Sequence, residues 1–464
     1  MSNRSTITNL LSTGQDDALA IAGNNREGLT YKGLREQVEK TVARMNGLGI
    51  GRNDRVAIVL PNGPEMAVAF VSIAACATTA PLNPAYRKGE FEFYLADLRA
   101  KALVVEQGST SPAVEAAGTL DIPLLEMAVN ESMPAGLFEI APGQGMVAGE
   151  AVSPGGLAGP EDVALVLHTS GTTSRPKIVP LTHRNIFASA NNIQRTLALT
   201  PSDRCLNVMP LFHIHGLMAA ILSTLSAGAS VLCTPGFNAL RFFAWLAEAK
   251  PTWYSAVPTM HQMILGLAGR NQEIIDATPL RFIRSSSASL PPQVMQRLEE
   301  VFSAPVVEAY AMTEAAHQMT CNPLPPGRRK PGTVGPAAGP EVSIMDEQGS
   351  LLATGMVGEV VIRGPNVTPG YENNPKANTE NFTNGWFRTG DQGVTDEDGD
   401  LTITGRLKEI INRGGEKISP REVDDVLMDH PAVEQVVTFA LPHEKLGEEV
   451  AAAIVLREGT EATE

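Results

Sequence analysis

Residues 163–177 read VALVLHTSGTTSRPK, and this stretch decides how the rest of the chain is understood. The apolar run 163–167 has the length and bulk of a buried strand. It runs straight into a turn crowded with hydroxyl side chains, with a glycine in its middle and Lys177 at its end. A phosphate chain calls for such a mixture: backbone N–H groups presented by a glycine turn, hydroxyl donors and a cation. The turn is not the GxxxxGK[ST] phosphate loop, because the glycines and the Lys-Ser/Thr ending are missing.

Outward from this stretch the chain alternates helix and strand patterns. Leu34, Val38, Val42 and Met45 form one helical stripe, stopped by Gly47 and Gly49. A strand is predicted at 55–60, a helix at 63–78, another helix at 88–98 and a strand at 102–105. Residues 136–159, rich in Gly and Pro, read as a loop or linker. Alternation resumes at 163 and continues to about 310. This pattern predicts an α/β fold with doubly wound parallel sheets. Beyond Gly332 the texture changes to short strands (341–345, 358–363, 401–404) separated by Asp/Gly turns, which predicts a small antiparallel, β-barrel-like subdomain. Ser419-Pro420-Arg421-Glu422 is a capping-box sequence with proline at the first helical position. It opens a last α+β unit: a helix to about residue 429, then strands at 433–439 and 450–456. The division expected is 1–404 for the large body and 405–464 for the small one.

Composition narrows the function. The 464 residues carry a net charge of −15, and the densest basic run is Arg328-Arg329-Lys330, so nucleic-acid binding is disfavoured. Segments 66–82 and 205–240 are poor in charge, but prolines and glycines interrupt them, and they read as buried core rather than membrane spans. The opening residues hold no apolar core of signal-peptide length. Cys76, Cys205, Cys233 and Cys321 are scattered, with neither metal-ligand spacing nor a paired framework. Buried thiols in a reducing compartment, and a cytoplasmic location, are therefore expected. For a eukaryotic chain with a targeting tripeptide after residue 464, the peroxisome is the alternative.

Three further clusters carry chemistry. EAYAMTE (308–314) follows an apolar strand and sets a hydroxyl beside a carboxylate, a pair suited to a nucleotide α-phosphate and its Mg²⁺. SSSAS (285–289) ends another strand. WFRTGD (386–391) and GRLKEIINRGGEK (405–417) offer Asp391 for ribose hydroxyls and Gly414-Gly415 for close backbone approach to a ligand.

Taken together, TSGTTSRPK, AYAMTE, WFRTGD and GRLKEIINRGGEKISP, in that order, resemble the adenylate-forming superfamily of acyl-CoA synthetases, carrier-loading adenylation domains and firefly-type luciferases. The resemblance implies a large N-terminal AMP-binding domain and a small, mobile C-terminal domain. It also implies two steps: a carboxylate attacks the ATP α-phosphorus, giving acyl-AMP and pyrophosphate, and a thiol, that of CoA, then displaces AMP. Carried over by position, Thr169, Ser170, Gly171, Thr172, Thr173 and Lys177 would hold the β- and γ-phosphates. Thr313 would contact the α-phosphate and Glu314 would bind Mg²⁺. Ala288 with Ser289, and Ala309 with Tyr310, would sandwich adenine; Asp391 and Arg406 would anchor ribose. Lys408 would be the hinge, and Gly414, Gly415, Glu416 and Lys417 would face the CoA thiol tunnel. The superfamily's adenylation lysine, in a PKTxxGK-like segment, has no counterpart between residues 420 and 464, so the small domain is expected to be only partly represented.

RFIRSSSAS (281–289), FHIHG (212–216) and TEAAH (313–317) resemble the oxalate–CoA ligases within that superfamily. The resemblance implies a very small, doubly anionic carboxylate, oxalate before malonate. His213, Ser287 and His317 would supply donors to the second carboxylate, with Arg284 adding charge from behind. A bare buried carboxylate costs several kcal/mol, so such partners are required. A medium-chain fatty or aryl acid–CoA ligase and a carrier-loading adenylation domain are the alternatives. No oligomeric state is readable.

Overall fold

The computed structural model describes residues 5–146, 155–169, 176–457 and 459–460. Two large sheets form the N-terminal body. One runs in the order Phe138–Pro142, Leu124–Val129, Ala102–Glu106, Arg55–Val59, Thr78–Pro81, Val163–Thr169, Lys177–Thr182. The other runs His317–Cys321, Val306–Met312, Phe282–Ser286, Trp253–Ala256, Arg204–Asn207, Ser230–Cys233, Leu19–Ala22, Leu29–Thr30. Interior pairings are parallel and the outermost pairs antiparallel. Helices shared between the sheets, including Tyr31–Gly47, Pro64–Ala74 and His183–Thr196, contribute to one continuous apolar core with residues of both sheets, among them Ile58, Phe70, Ile186 and Trp253. Helices on the outer faces complete two smaller cores. This is the doubly wound arrangement that the alternation implies.

Local chemistry explains the boundaries. Thr30 caps the helix Tyr31–Gly47, its side chain accepting from the Gly33 N–H at 3.2 Å, and Leu34, Val38 and Met45 are buried as the stripe requires. The helix expected over 63–78 ends at Ala74, and Thr78–Pro81 is a separate strand parallel to Arg55–Val59. The run of small residues 74–80 (AACATTA) hides that boundary. Part of the expected loop 136–159 is a strand too: Phe138–Pro142 pairs with Leu124–Val129, burying Phe138 and Ile140 while Glu139 faces solvent. Two inward residues between Gly and Pro are too short a period-2 signal to register.

The segment after Gly332 forms an antiparallel five-stranded sheet in which Trp386–Thr395 pairs with Gly358–Arg363, Phe382–Thr383 and Leu401–Arg406. Since Leu401–Arg406 belongs to this sheet, the small unit's own sheet begins at Ile411–Arg413. Ser419 caps its helix Pro420–Met428, accepting from the Glu422 N–H. Among the described residues no helix is long and apolar enough to cross a membrane.

Candidate active site

Strands Phe282–Ser286 and Val306–Met312 are parallel neighbours, and both point their C-terminal ends at the same opening. Ligands of open α/β sheets bind at such ends. Two cavities lie there. One, of 460 Å³, is lined by Thr169, Lys177, His213, Thr313, Glu314, Tyr371 and Lys408 among others. The other, of 420 Å³, is lined by Ala288, Ser289, Ala309, Tyr310 and Asp391 among others. Ser287, Ala311, Met312 and Arg406 border both, so the two form one site, with the charges of Lys177, Glu314 and Lys408 at one end.

At the charged end Glu314 sits in a single 3₁₀ turn after the strand, and the Thr368 N–H donates to its carbonyl at 2.7 Å. Its carboxylate is buried, and the Tyr371 hydroxyl donates to Oε1 at 2.7 Å. Lys177 Nζ lies 4.4 Å from the centre of the same Tyr371 ring. Burial lifts the Glu314 pKa above its ordinary value, against the pull of the Tyr371 hydrogen bond; burial lowers that of Lys177. Tyr371 thus ties together the carboxylate and the cation that a polyphosphate would meet.

At the other end the antiparallel register places Asp391 opposite Arg406. Arg406 Nε lies 3.3 Å from Asp391 Oδ1, and the Tyr310 hydroxyl donates to Oδ2. A carboxylate held by an arginine and a phenol suits a ribose diol. Ala288, Ser289, Ala309 and Tyr310 border the same slot as Asp391.

Behind the shared wall lies a buried polar layer. His215 opens a π-helix, His215–Leu222, whose start can press against the Pro210 carbonyl because residue 216 is glycine; a Cβ there would lie 2.5 Å from that oxygen. His215 Nε2 is 2.6 Å from Ser255 Oγ, and Nδ1 is 3.0 Å from Ser287 Oγ. His317 stacks on His215, ring centres 4.9 Å apart, and among the described residues neither nitrogen of His317 has a hydrogen-bond partner. Arg284 is fully buried. It donates to Ser255 Oγ at 3.3 Å and to Gln318 Oε1 at 3.3 Å, and among the described residues no acidic side chain is ion-paired with it. Glu308, on the next strand, is in register with Ser285 and faces the other way. Burial and the Arg284 charge drive the pKa values of His215 and His317 well below 6.5, so both rings are neutral. Ser287, Ala316 and His317 all have positive φ (74°, 47° and 96°). Such strain in non-glycine residues clusters at functional sites.

Most residues singled out from sequence meet here. Thr169, Lys177, Thr313 and Glu314 line the charged end; Asp391 and Arg406, with the four slot residues, line the other. Ser170, Gly171, Thr172 and Thr173 lie outside the described residues. His213 and Ser287 border the charged cavity, whereas His317 lies one layer behind it. Lys408 follows the strand Leu401–Arg406 in an exposed turn that also borders that cavity. Gly414, Gly415, Glu416 and Lys417 form the exposed tip of the hairpin between Ile411–Arg413 and Glu416–Ile418 and border neither cavity. Positive φ at Gly414 and Gly415 (59° and 100°) makes the tight turn. Sequence reasoning missed Tyr371, Ser255 and His215. The last had a signal, its two-residue spacing from His213; the others had none.

The AMP-binding enzyme family matches residues 12–372, and the AMP-binding enzyme C-terminal domain matches 422–464. An oxalate–CoA ligase of Arabidopsis thaliana is 48 % identical over 455 residues, spanning 97 % of this chain and 87 % of its own. An oxalate–CoA ligase of Saccharomyces cerevisiae is 46 % identical over 433 residues, spanning 89 % and 79 %. The crystal structure of ATP-bound MatB from Rhodopseudomonas palustris superposes with a TM-score of 0.87 at 27 % identity, covering 99 % of this chain and 90 % of that one. With both family matches in the expected order along the sequence, this chain belongs to the AMP-binding enzyme family of adenylate-forming ligases.

Proposed function

We propose that this protein is an ATP-dependent oxalate–CoA ligase. The observation that carries the reading is the buried guanidinium of Arg284, without an acidic partner among the described residues, set with two neutral histidines and Ser255 behind a wall that Ser287 lines. A buried charge is costly unless something of opposite sign answers it. A small acid with a second carboxylate answers it, and a fatty acyl tail does not. The 48 % identical oxalate–CoA ligase supports the same choice.

In the first step one carboxylate oxygen attacks the α-phosphorus and pyrophosphate leaves. In-line attack between anions needs aimed donors and cations more than acid–base groups. Lys177 and Thr169 face the departing phosphates, Thr313 donates to the α-phosphate, and Asp391 with Arg406 holds the ribose so that the phosphorus stays in line. The residues fit a divalent cation: Glu314 presents a buried carboxylate with one oxygen fixed by Tyr371, and Mg²⁺ is typically held by one or two carboxylates plus substrate phosphates. When bound, Mg²⁺ supplies Lewis-acid neutralisation of the phosphate charge. In the second step the CoA thiolate attacks the acyl carbon and the C–O bond to AMP breaks. For this the small domain turns at Lys408, bringing the hairpin tip of Gly414, Gly415, Glu416 and Lys417 to the thiol's path.

The test is kcat/KM for oxalate, malonate, acetate, octanoate and 4-coumarate with ATP and CoA. Oxalate is expected to lead, malonate to follow. If octanoate or 4-coumarate leads, the substrate is wrong, although the adenylation chemistry would stand.

A further inference from the structure

A chain of hydrogen bonds runs from the core to the cavity wall, and its direction is fixed at one end. A guanidinium can only donate. Arg284 donates to Ser255 Oγ at 3.3 Å, and the same NH group lies 3.4 Å from His215 Nε2. Nε2 therefore carries no proton, since a donor already faces it. The Ser255 hydroxyl, 2.6 Å away, donates to Nε2. A neutral ring with Nε2 bare carries its proton on Nδ1, and that N–H points at Ser287 Oγ, 3.0 Å away. Ser287 then receives a hydrogen bond from behind, and among the described residues no acceptor takes its own proton, which is left to face the cavity. The residue is exposed there, in a left-handed conformation that aims it at the junction of the two cavities.

We infer that Arg284 is a positioning residue which, through Ser255 and His215, commits the Ser287 hydroxyl to donate into the acyl cavity and so selects a substrate bearing a second carboxylate. The inference rests on the oxalate reading above and adds how the preference is set. Without the guanidinium the histidine can take either tautomer, and the serine can turn its lone pairs, rather than its proton, towards an incoming anion. A monocarboxylate such as acetate places a methyl group where the second carboxylate would sit and gains nothing from the direction of the chain.

The test is the ratio of kcat/KM for oxalate to that for acetate, measured by ATP–pyrophosphate exchange in wild type, Arg284→Met, Ser287→Ala and the double variant. His215→Phe, which removes the Nδ1–H itself, serves as a second interruption should Arg284→Met fail to fold. Losing an anion-directed donor is expected to lower the ratio roughly 10–100-fold in Arg284→Met and in His215→Phe, chiefly through KM for oxalate. In the Ser287→Ala background, Arg284→Met should lower it no further, because the end of the chain is already gone. An unchanged ratio in Arg284→Met and His215→Phe, or multiplicative losses in the double variant, would overturn the inference while leaving the oxalate reading intact. A wild type that prefers acetate to oxalate would overturn both.

Discussion

Tyr371→Phe removes one hydroxyl and keeps the ring, so the contact with Lys177 Nζ, 4.4 Å from the ring centre, survives. What is lost is the 2.7 Å hydrogen bond to Glu314 Oε1 between two buried groups. A hydrogen bond to a charged group contributes about 1.5–3 kcal/mol, roughly 10–100-fold in any equilibrium that depends on it. Two such equilibria are coupled to Glu314. The first is Mg²⁺ loading, because the hydroxyl fixes the carboxylate's orientation, and loss of such a supporting contact typically weakens metal binding 10–100-fold. The second is protonation. Burial already raises the Glu314 pKa, and the Tyr371 hydroxyl pulls it down. Removing the hydroxyl raises it further, so the acid limb of kcat/KM for ATP must move to higher pH. Pyrophosphate release measured against Mg²⁺ concentration at several pH values reads both effects. An unchanged Mg²⁺ requirement together with an unmoved or lowered acid limb would refute the role given to Tyr371.

Glu314→Gln should cut adenylation about 10²–10³-fold with an unaltered circular dichroism spectrum, and wild-type pyrophosphate release would remove Glu314 from the metal site. Asp391→Asn deprives Arg406 of its ion-pair partner and should raise KM for ATP about tenfold, so an unchanged value would count against ribose anchoring. Lys408→Pro fixes φ near −65° at the turn and should slow one half-reaction more than the other, whereas equal slowing would refute the hinge. His183 and His261, depressed to about 4, and His215 and His317, held well below 6.5, are all neutral in the folded state. Below pH 6.5 the unfolded chain gains protons that the native state refuses, so stability is full above that pH and falls as pH drops, by up to about 1.4 kcal/mol per pH unit per histidine. A Tm that stays flat from pH 7 to pH 5 would contradict this burial.

Legibility from sequence followed the range of the signal. The strand into the phosphate turn, the helix stripe from Leu34 to Met45 and the capped helix after Ser419 are local patterns, and each appears where its periodicity or cap places it. Glu314 and Arg406 were legible as candidates because each sits in a dense motif at a strand end, and Asp391 because its motif is dense although it lies in mid-strand. Thr78–Pro81 was not, since the small residues 74–80 (AACATTA) run from the helix end into the strand without a glycine or proline between them. Tyr371 lies 57 residues from Glu314 along the chain, and only packing of the intervening sheet brings them together. Arg284 was legible as a charge, but not as a buried one. Its links to Ser255 and His215 depend on the register of adjacent parallel strands and on a π-helix, neither of which leaves a local trace.

The most direct test of the proposed chemistry follows one oxygen atom. Oxalate carrying heavy oxygen at all positions is incubated with ATP, Mg²⁺, CoA and the enzyme, and the products are weighed by mass spectrometry. Attack of a carboxylate oxygen on the α-phosphorus, followed by thiol cleavage of the C–O bond, must leave one heavy oxygen in AMP and three in oxalyl-CoA. That pair of products is the expected result. Unlabelled AMP, ADP in place of AMP, or no thioester from oxalate would contradict it.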